Sequence, residues 1–324
     1  MNRNISVLTM LLVVSALLTG CTTIKTKPLE PQPAKIEPVE TTIEQPGGPQ
    51  ISEQKQPEPE QNPATFFHDK FADILRDFVN DQGLVNYNSL KLKRTELKQL
   101  LNECDELKKD QYSQWSDKDK IAFWINVYNM NTLSIILDNY PIKAPRVLSI
   151  IWGPYSIRHI NKQIGGIKSQ KFTVMDEIFT LTEIERRFFR EKFNEPKVFF
   201  ALSQGCSSGP PLRNEPYYGH QLNEQLDDQI RKFLTNELAL RIDRAKQTVY
   251  LSPMFKSDWY GTEFIEKYVT EKKFKDQPLS VRAVLNLITK YVSKHDVNFL
   301  ELESYTVKYI NYNWTINEYP KPGT

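Results

Sequence analysis

A proline-rich stretch divides this chain into a part that cannot fold and a part that can. Residues 22–63 hold nine of the 20 prolines in the 324-residue sequence and no aromatic residue. Such a segment cannot bury enough apolar surface to offset the entropy lost on ordering, which predicts a tether with a span of roughly 35 to 45 Å. Aromatic and aliphatic residues become dense from Phe66 onward, and the remainder is long enough for one large domain.

The first 21 residues have the pattern of a secretory signal. Arg3 precedes an apolar run, Ile5 to Leu18, that is too short to span a bilayer. The run ends in Leu18-Thr19-Gly20-Cys21, which resembles the lipobox of bacterial lipoproteins. The resemblance implies cleavage before Cys21 and lipidation of its thiol, with a membrane as partner. In the lipoproteins of two-membrane bacteria that this motif resembles, an Asp after the lipidated Cys signals inner-membrane retention. This chain has Thr22 there, so in a bacterium with two membranes the expected location is the periplasmic face of the outer membrane.

The net charge limits the kinds of partner that the sequence predicts, and the cysteine content limits the disulfides that the chain can form. A formal net charge of +2 gives no strong field for nucleic acid, and no nucleic-acid partner is expected. With Cys21 lipidated, Cys104 and Cys206 remain as one disulfide or two unpaired thiols.

The four histidines are not spaced as metal ligands, so neither a metal nor a cofactor is predicted. His68 and His295 are predicted at the surface of polar helix edges. His159 lies in a strand-like segment, and His220 precedes a helix.

Hydrophobic periodicity predicts an α+β domain. Ser116 and Thr180 begin capping patterns, and Pro141 ends a long apolar helix. Runs rich in β-branched and aromatic residues follow later in the chain. The predicted helices cover residues 66–78, 90–107, 120–140, 180–193, 221–234, 263–272 and 279–293, and the predicted strands cover residues 197–202, 240–243, 248–252 and 305–311. We therefore expect N-terminal helices packed on a small, mainly antiparallel sheet in a single large domain.

The expected organisation has four parts: a signal peptide at residues 1–20, the lipidated Cys and tether at 21–63, a globular domain at 64–318 and a tail at 319–324.

Several motifs together resemble the family called domain of unknown function 547, over nearly the whole of residues 66–318. They are Gly83-Leu84-Val85-Asn86-Tyr87, Ala122-Phe123-Trp124-Ile125-Asn126-Val127-Tyr128-Asn129, Ile164-Gly165-Gly166, Leu181 to Glu185, Phe200-Ala201-Leu202 leading to Pro210-Pro211-Leu212, Phe255 with Trp259-Tyr260, and Tyr312-Asn313-Trp314-Thr315-Ile316-Asn317. The resemblance implies a domain but no reaction, because no activity is established for the family.

The chain departs from the family pattern at its most reactive positions. Arg186 stands where members commonly have a His after the residue matching Glu185, and Gln204 and Gly209 occupy the two common Cys positions. Cys206 falls where Ser is usual. A thiolate needs an adjacent base or cation, so these departures argue against Cys–His chemistry.

The favoured hypothesis is a non-enzymatic envelope module that binds a peptide, glycan or protein. Its cleft would lie between the helix of Asn126 and Asn129 and the loop at residues 203–212. The candidate pocket residues are Asn126, Asn129, Glu185, Arg186, Ser203, Gln204, Cys206, Ser207, Ser208 and Arg213, with Tyr217, Tyr218, Trp259 and Tyr260 as aromatic contacts.

Individual residues within that pocket leave alternatives open. The two amides either hydrogen-bond the loop backbone or line a pocket. Glu185 either pairs at the surface with Arg186, Arg187 or Arg190, or turns inward as an acid or base.

The alternative hypothesis is a papain-like or transglutaminase-like hydrolase or transferase, using Cys206 with His159 or His220 and Glu185. Residues 205–209 also fit a Gly-x-Ser-x-Gly pattern centred on Ser207, but the following Pro210-Pro211 blocks the helix that a nucleophile elbow requires. The same loop is either a small anion-binding nest near Arg213 or a structural turn.

Overall fold

The computed structural model describes residues 63–160 and 166–319, without the side chains of 63–67 and 257–260. The described residues belong to one compact unit, Pro57–Thr324. The predicted signal, lipidation site and nearly all of the tether lie outside the described residues. None of the helices in the described part has both the length and the apolar run needed to cross a membrane.

One almost fully buried helix organises the domain. It is α5, Asp117–Asp138, and nearly every residue from Ile121 to Leu137 is buried. A helix that is apolar all round has no solvent face, so it forms the centre of the core. The Ser116 side chain accepts a hydrogen bond from the Asp119 N–H at 3.1 Å, which confirms the predicted cap.

Shorter helices precede and follow α5 in the N-terminal part of the domain. They are α1, Pro63–Phe78; α2, Tyr87–Leu90; α3, Arg94–Glu106; α4, Lys109–Ser113; and α6, Arg146–Trp152. Apolar residues of α1 and α3, among them Phe71, Leu75, Leu97 and Leu100, join the same core as α5. The N-terminal helices predicted from periodicity are therefore confirmed.

The helix predicted over residues 180–193 changes its hydrogen-bond pattern midway. Helix α7, Leu181–Ile184, begins with a complete capping box between Thr180 and Glu183. It continues as a π-helical segment, Glu185–Lys192. Such segments are uncommon and are frequent at functional sites.

Residues 197–202 are not the strand that their composition predicts. They begin in a 3₁₀ helix, Pro196–Phe200, with i→i−3 hydrogen bonds from Val198 to Glu195 and from Ala201 to Val198. A short apolar run is ambiguous between a strand and a buried helical turn, and Pro196 at the first position favours the turn. The segment around His159, predicted as strand-like, is likewise a 3₁₀ helix, Ile157–His159.

The sheets are small and mainly antiparallel, as predicted. Strands β1, Phe172–Val174, and β2, Glu177–Phe179, form an antiparallel hairpin. Strands β3, Leu240–Asp243, and β4, Thr248–Leu251, are antiparallel, and β5, Thr306–Tyr309, joins β4 in parallel. The remaining helices are α8, Leu222–Leu234; α9, Ser257–Tyr268; α10, Leu279–Ile288; and α11, Lys294–Glu301.

Residues 312–319, here called the C-terminal segment, connect parts of the domain that are distant in sequence. Single β-bridges join Thr315 to Ser156, Ile316 to Cys206 and Glu318 to Val85. The segment thus links the loop at residues 203–212 to the motif at residues 83–87.

Candidate functional site

Asn129 fixes the start of the loop at residues 203–212 to α5. Its Nδ2 donates to the Ala201 carbonyl at 3.0 Å and its Oδ1 accepts from the Ser203 N–H at 2.9 Å. Because a backbone N–H only donates, these partners also define the orientation of the amide. Of the two alternatives for this residue, the structure shows the hydrogen bond to the loop backbone.

Asn126 holds a different segment, one turn earlier on the same face of α5. Its Oδ1 accepts from the Tyr217 N–H at 2.9 Å, and its Nδ2 donates to the Tyr217 carbonyl at 2.8 Å and lies 2.7 Å from His68 Nδ1. Tyr217 itself is buried and cannot serve as a surface contact for a ligand.

His68 is buried, not at the surface as predicted. It is 2% exposed and packs edge-on against Tyr218, with ring centroids 5.5 Å apart. Burial lowers the pKa of His68 to about 4. The sequence does carry a signal for this placement, because His68 precedes Phe71 and Leu75 by three and seven positions and therefore shares their buried helix face.

At Gly205 the loop packs directly on α5, where a cleft is predicted from the sequence. A Cβ built on Gly205 would lie 2.2 Å from Ile136 Cδ1 and 3.7 Å from Thr132 Cγ2. Gly205 also has φ +68°, in the left-handed region that glycine adopts without strain. The absence of a side chain at this position is what permits the close contact.

Several backbone N–H groups of the loop at residues 203–212 already donate to acceptors within the protein. The N–H groups of Ser207 and Ser208 donate to the carbonyls of Thr315 and Asn313, at 2.8 and 3.2 Å, and the N–H of Gly209 donates to the Cys206 carbonyl at 3.1 Å. An anion-binding nest needs free N–H groups, and these three are already engaged within the protein. The Ser207 hydroxyl donates to the Thr315 carbonyl as well.

Cys206 is buried and lacks a catalytic base. Its Sγ lies 3.5 Å from the Tyr312 hydroxyl, which donates to Gln204 Oε1 at 3.0 Å. Burial raises the pKa of the Cys206 thiol to about 11. Cys104 and Cys206 are both free thiols, so the unpaired alternative is the one observed.

Neither candidate histidine is a partner of Cys206. His159 Nε2 lies 2.7 Å from the Gly153 carbonyl, and its ring packs against Trp152. His220 is exposed, with its Nε2 3.0 Å from Gln221 Nε2. The structure therefore brings together no Cys–His pair from the residues that the sequence nominated.

Glu185 turns inward and is held in an ion pair. Its carboxylate accepts from the Tyr128 hydroxyl at 2.8 Å and pairs with Lys168 Nζ at 2.7 Å, and its side chain is 14% exposed. Of the two alternatives for Glu185, the inward orientation is the one observed. Its neighbours Arg186, Arg187 and Arg190 pair instead with Glu191, Glu177 and Glu263. Burial raises the pKa of Tyr128, and the nearby Glu185 carboxylate raises it further.

Two further predicted pocket residues, Arg186 and Arg213, form ion pairs with neighbouring carboxylates. Arg186 is exposed and bonds Glu191 at 2.6 Å. Arg213 forms ion pairs with Glu215 and Asp228 and so is not available to an anion beside the loop. The side chains of Trp259 and Tyr260 lie outside the described residues.

A groove of about 520 Å³ lies on the other side of the loop. Its walls are the turn at residues 81–84, residues 206–211 of the loop, residues 232–238 at the end of α8, and Asn317 of the C-terminal segment. The apolar part of the wall is formed by Leu84, Pro211 and Leu238. We call the whole groove the Lys232 groove.

Lys232 is the distinctive residue of that groove. Burial and the nearby Arg213 lower the pKa of Lys232, against a smaller opposite effect of the carboxylates of Asp228, Asp81 and Glu215. Within the part of the chain that the structure describes, its ammonium has no ion-pair or hydrogen-bond partner. Sequence reasoning missed Lys232, because on α8 it is one charge among many and nothing local distinguishes it.

Metal ligation has no candidate among residues 63–160 and 166–319, where no three His, Cys, Asp or Glu side chains are grouped to hold an ion.

These features define a mixed α+β domain in which one buried helix fixes a Cys-containing loop through its amide side chains. Residues 112–234 match the family model described as Protein of unknown function, DUF547. The match spans α5, the loop and α8, and supports the domain family that the motifs indicated. Comparisons with curated proteins and with solved structures gave no match.

Proposed function

We propose that this chain is a membrane-tethered binding module whose domain takes a peptide segment carrying a carboxylate in the Lys232 groove. In this proposal Cys21 carries the lipid and residues 22–63 form the tether. The lipobox resemblance and the proline-rich composition support the anchoring half, at a membrane of the cell envelope.

The unpaired ammonium of Lys232 carries the binding half. Partial desolvation of a cation is unfavourable unless an anion or a hydrogen-bond acceptor compensates it. A ligand carboxylate placed in the groove would provide that compensation through a charge-assisted hydrogen bond. The apolar walls at Leu84, Pro211 and Leu238 would contact side chains of the same ligand, as in most binding clefts.

Binding fits the residues better than catalysis does. Cys206 lines the groove, yet its thiol is buried, its pKa is raised and no imidazole contacts it. Ser207 has no adjacent base and is hydrogen-bonded to the backbone of Thr315. A nucleophile needs a base within hydrogen-bond reach, and neither side chain has one here.

The groove is tested with peptide arrays in which each sequence is displayed with a free C-terminal carboxylate, as its amide, and with acidic side chains replaced by amides. The full chain should bind carboxylate-bearing peptides. Lys232→Met should weaken that binding roughly 10- to 100-fold, the equivalent of one hydrogen bond to a charged group.

The matched control is Lys118→Met, which removes an exposed lysine at the start of α5 and should leave binding unchanged. Equal binding of carboxylate and amide peptides, or equal loss in both variants, would refute the groove. Lipidation is tested separately: palmitate labelling should disappear in Cys21→Ser, and labelling that persists would overturn the anchor.

A further inference from the structure

Helix α6 presents its apolar face to solvent. Val147, Ile150 and Ile151 are 71%, 83% and 68% exposed, and the helix has no buried residue. Positions i, i+3 and i+4 share one face of a helix, and in a globular domain that stripe normally faces the core. Tyr155, 60% exposed, continues the apolar surface beyond the helix.

The sequence around helix α6 is basic and has no acidic residue. Between Asp138 and Asp176 the chain has no Asp or Glu. Lys143, Arg146 and Arg158 are exposed, and the Arg158 guanidinium lies 4.4 Å from the Trp152 ring centroid. We call the set formed by these residues and the apolar stripe the α6 face.

The α6 face is firmly connected to the domain at its C-terminal end. The Ile157 N–H donates to the Trp314 carbonyl at 3.0 Å, and the Ile316 N–H donates to the Tyr155 carbonyl at 2.9 Å. The face is thus fixed in orientation relative to the C-terminal segment.

We propose that the α6 face docks on an anionic lipid surface, with Val147, Ile150 and Ile151 inserted at the headgroup boundary. Exposed aliphatic residues flanked by Trp, Tyr and basic side chains are the composition of interfacial helices. Lysine and arginine next to the surface add attraction to anionic headgroups. A seven-residue helix and one tyrosine supply only a small part of the area that a stable protein interface needs, which favours lipid as the occupant.

The inference goes beyond the proposed groove and needs the tether only to bring the domain near a membrane. Its test uses the full chain with Cys21→Ser, so that no lipid is attached and a failure says nothing about lipidation or peptide binding. An environment-sensitive fluorophore is attached to Ile151→Cys in one chain and to Leu92→Cys in another. Leu92 is 81% exposed and lies in a 3₁₀ turn between Lys91 and Lys93, so it controls for exposure and for flanking positive charge without the aliphatic stripe of α6.

The native thiols do not interfere with labelling, because Cys104 and Cys206 are buried. Vesicles of phosphatidylethanolamine and phosphatidylglycerol with brominated acyl chains should quench the probe at 151 at least roughly twofold more than the probe at 92. Neutral phosphatidylcholine vesicles should give a smaller difference. Adding Arg146→Glu and Arg158→Glu should reduce quenching at 151 to the level at 92.

Three results would overturn the proposal. The first is equal quenching at positions 151 and 92. The second is quenching at 151 that is the same with neutral and anionic lipid or is unchanged by the two charge reversals. The third is a blue shift at 151 that grows with protein concentration in the absence of vesicles, which would make the face a contact between copies of the chain.

Discussion

The contact between Gly205 and α5 gives the most direct test of how the loop at residues 203–212 packs on the helix. Replacing Gly205 by Ala adds a methyl group 2.2 Å from Ile136 Cδ1, at a backbone φ of +68°. Ile136 is fully buried, so its methyl group cannot move into solvent. The left-handed conformation costs about 1–2 kcal/mol for a residue with a Cβ, and overpacking a core site costs about 1–3 kcal/mol. Gly205→Ala should therefore lower the free energy of unfolding by about 2–5 kcal/mol.

Gly153→Ala provides the matched control. Gly153 has φ +79°, but a Cβ there would have no atom within 4 Å. With ψ +154° this backbone lies in a region almost restricted to glycine, so the variant should show a conformational cost of about 1–3 kcal/mol without the steric cost.

A double-mutant cycle isolates the steric part. Ile136→Val removes the Cδ1 atom and should cost about 0.5–1.5 kcal/mol alone. Combined with Gly205→Ala it should cost at least about 1 kcal/mol less than the sum of the single variants. The assay is urea unfolding of the full chain followed by tryptophan fluorescence. A Gly205→Ala cost no larger than that of Gly153→Ala, or strict additivity in the cycle, would refute the reasoning.

Three other predictions follow from buried polar groups. Burial lowers the pKa of His68 from 6.5 to about 4, so as the pH falls the unfolded chain protonates this imidazole before the folded chain does, and the free energy of unfolding should fall by on the order of 3 kcal/mol between about pH 6.5 and about pH 4. His68→Gln should flatten that part of the pH profile of urea unfolding. An unchanged slope would contradict the buried, neutral state of His68. Asn129→Ala should lower the free energy of unfolding by about 2–5 kcal/mol, because it leaves two buried backbone groups unpaired. Asn131→Ala loses one hydrogen bond to a helix carbonyl and should lower it by about 1 kcal/mol. The reverse order in unfolding experiments would be inconsistent with the structure. Cys206 and Cys104, with pKa values raised to about 11 and about 12, should both react with iodoacetamide at neutral pH at least roughly tenfold more slowly than a free peptide thiol; rapid modification of Cys206 would restore the cysteine-enzyme hypothesis.

Local signals predicted the helices well. Ser116 and Pro141 bracket α5, and the capping box at Thr180 marks the start of α7, because these residues act through neighbours a few positions away. The mixed α+β class followed from the same periodicities.

Predictions that depended on tertiary contacts fared differently. The run at residues 197–202 was expected to be a strand, but the structure shows a 3₁₀ helix there. The close packing of the loop on α5 depends on Gly205, and no pattern in the sequence says which glycine approaches a helix. Lys232 stands out only in the folded protein, where its ammonium is partly buried and forms no ion pair within the described residues.

The C-terminal segment has a consequence for the order of folding. Tyr312 contacts a loop residue 108 positions earlier, and Asn317 bonds Tyr87 and Gly83 across 230 and 234 positions. Contacts between residues so far apart require closing long loops and form slowly relative to local helices. The groove wall that Asn317 supplies is therefore expected to be completed late, after α1 to α5 have formed. Until residues 312–319 have joined the domain, the Lys232 groove would lack the wall that Asn317 supplies.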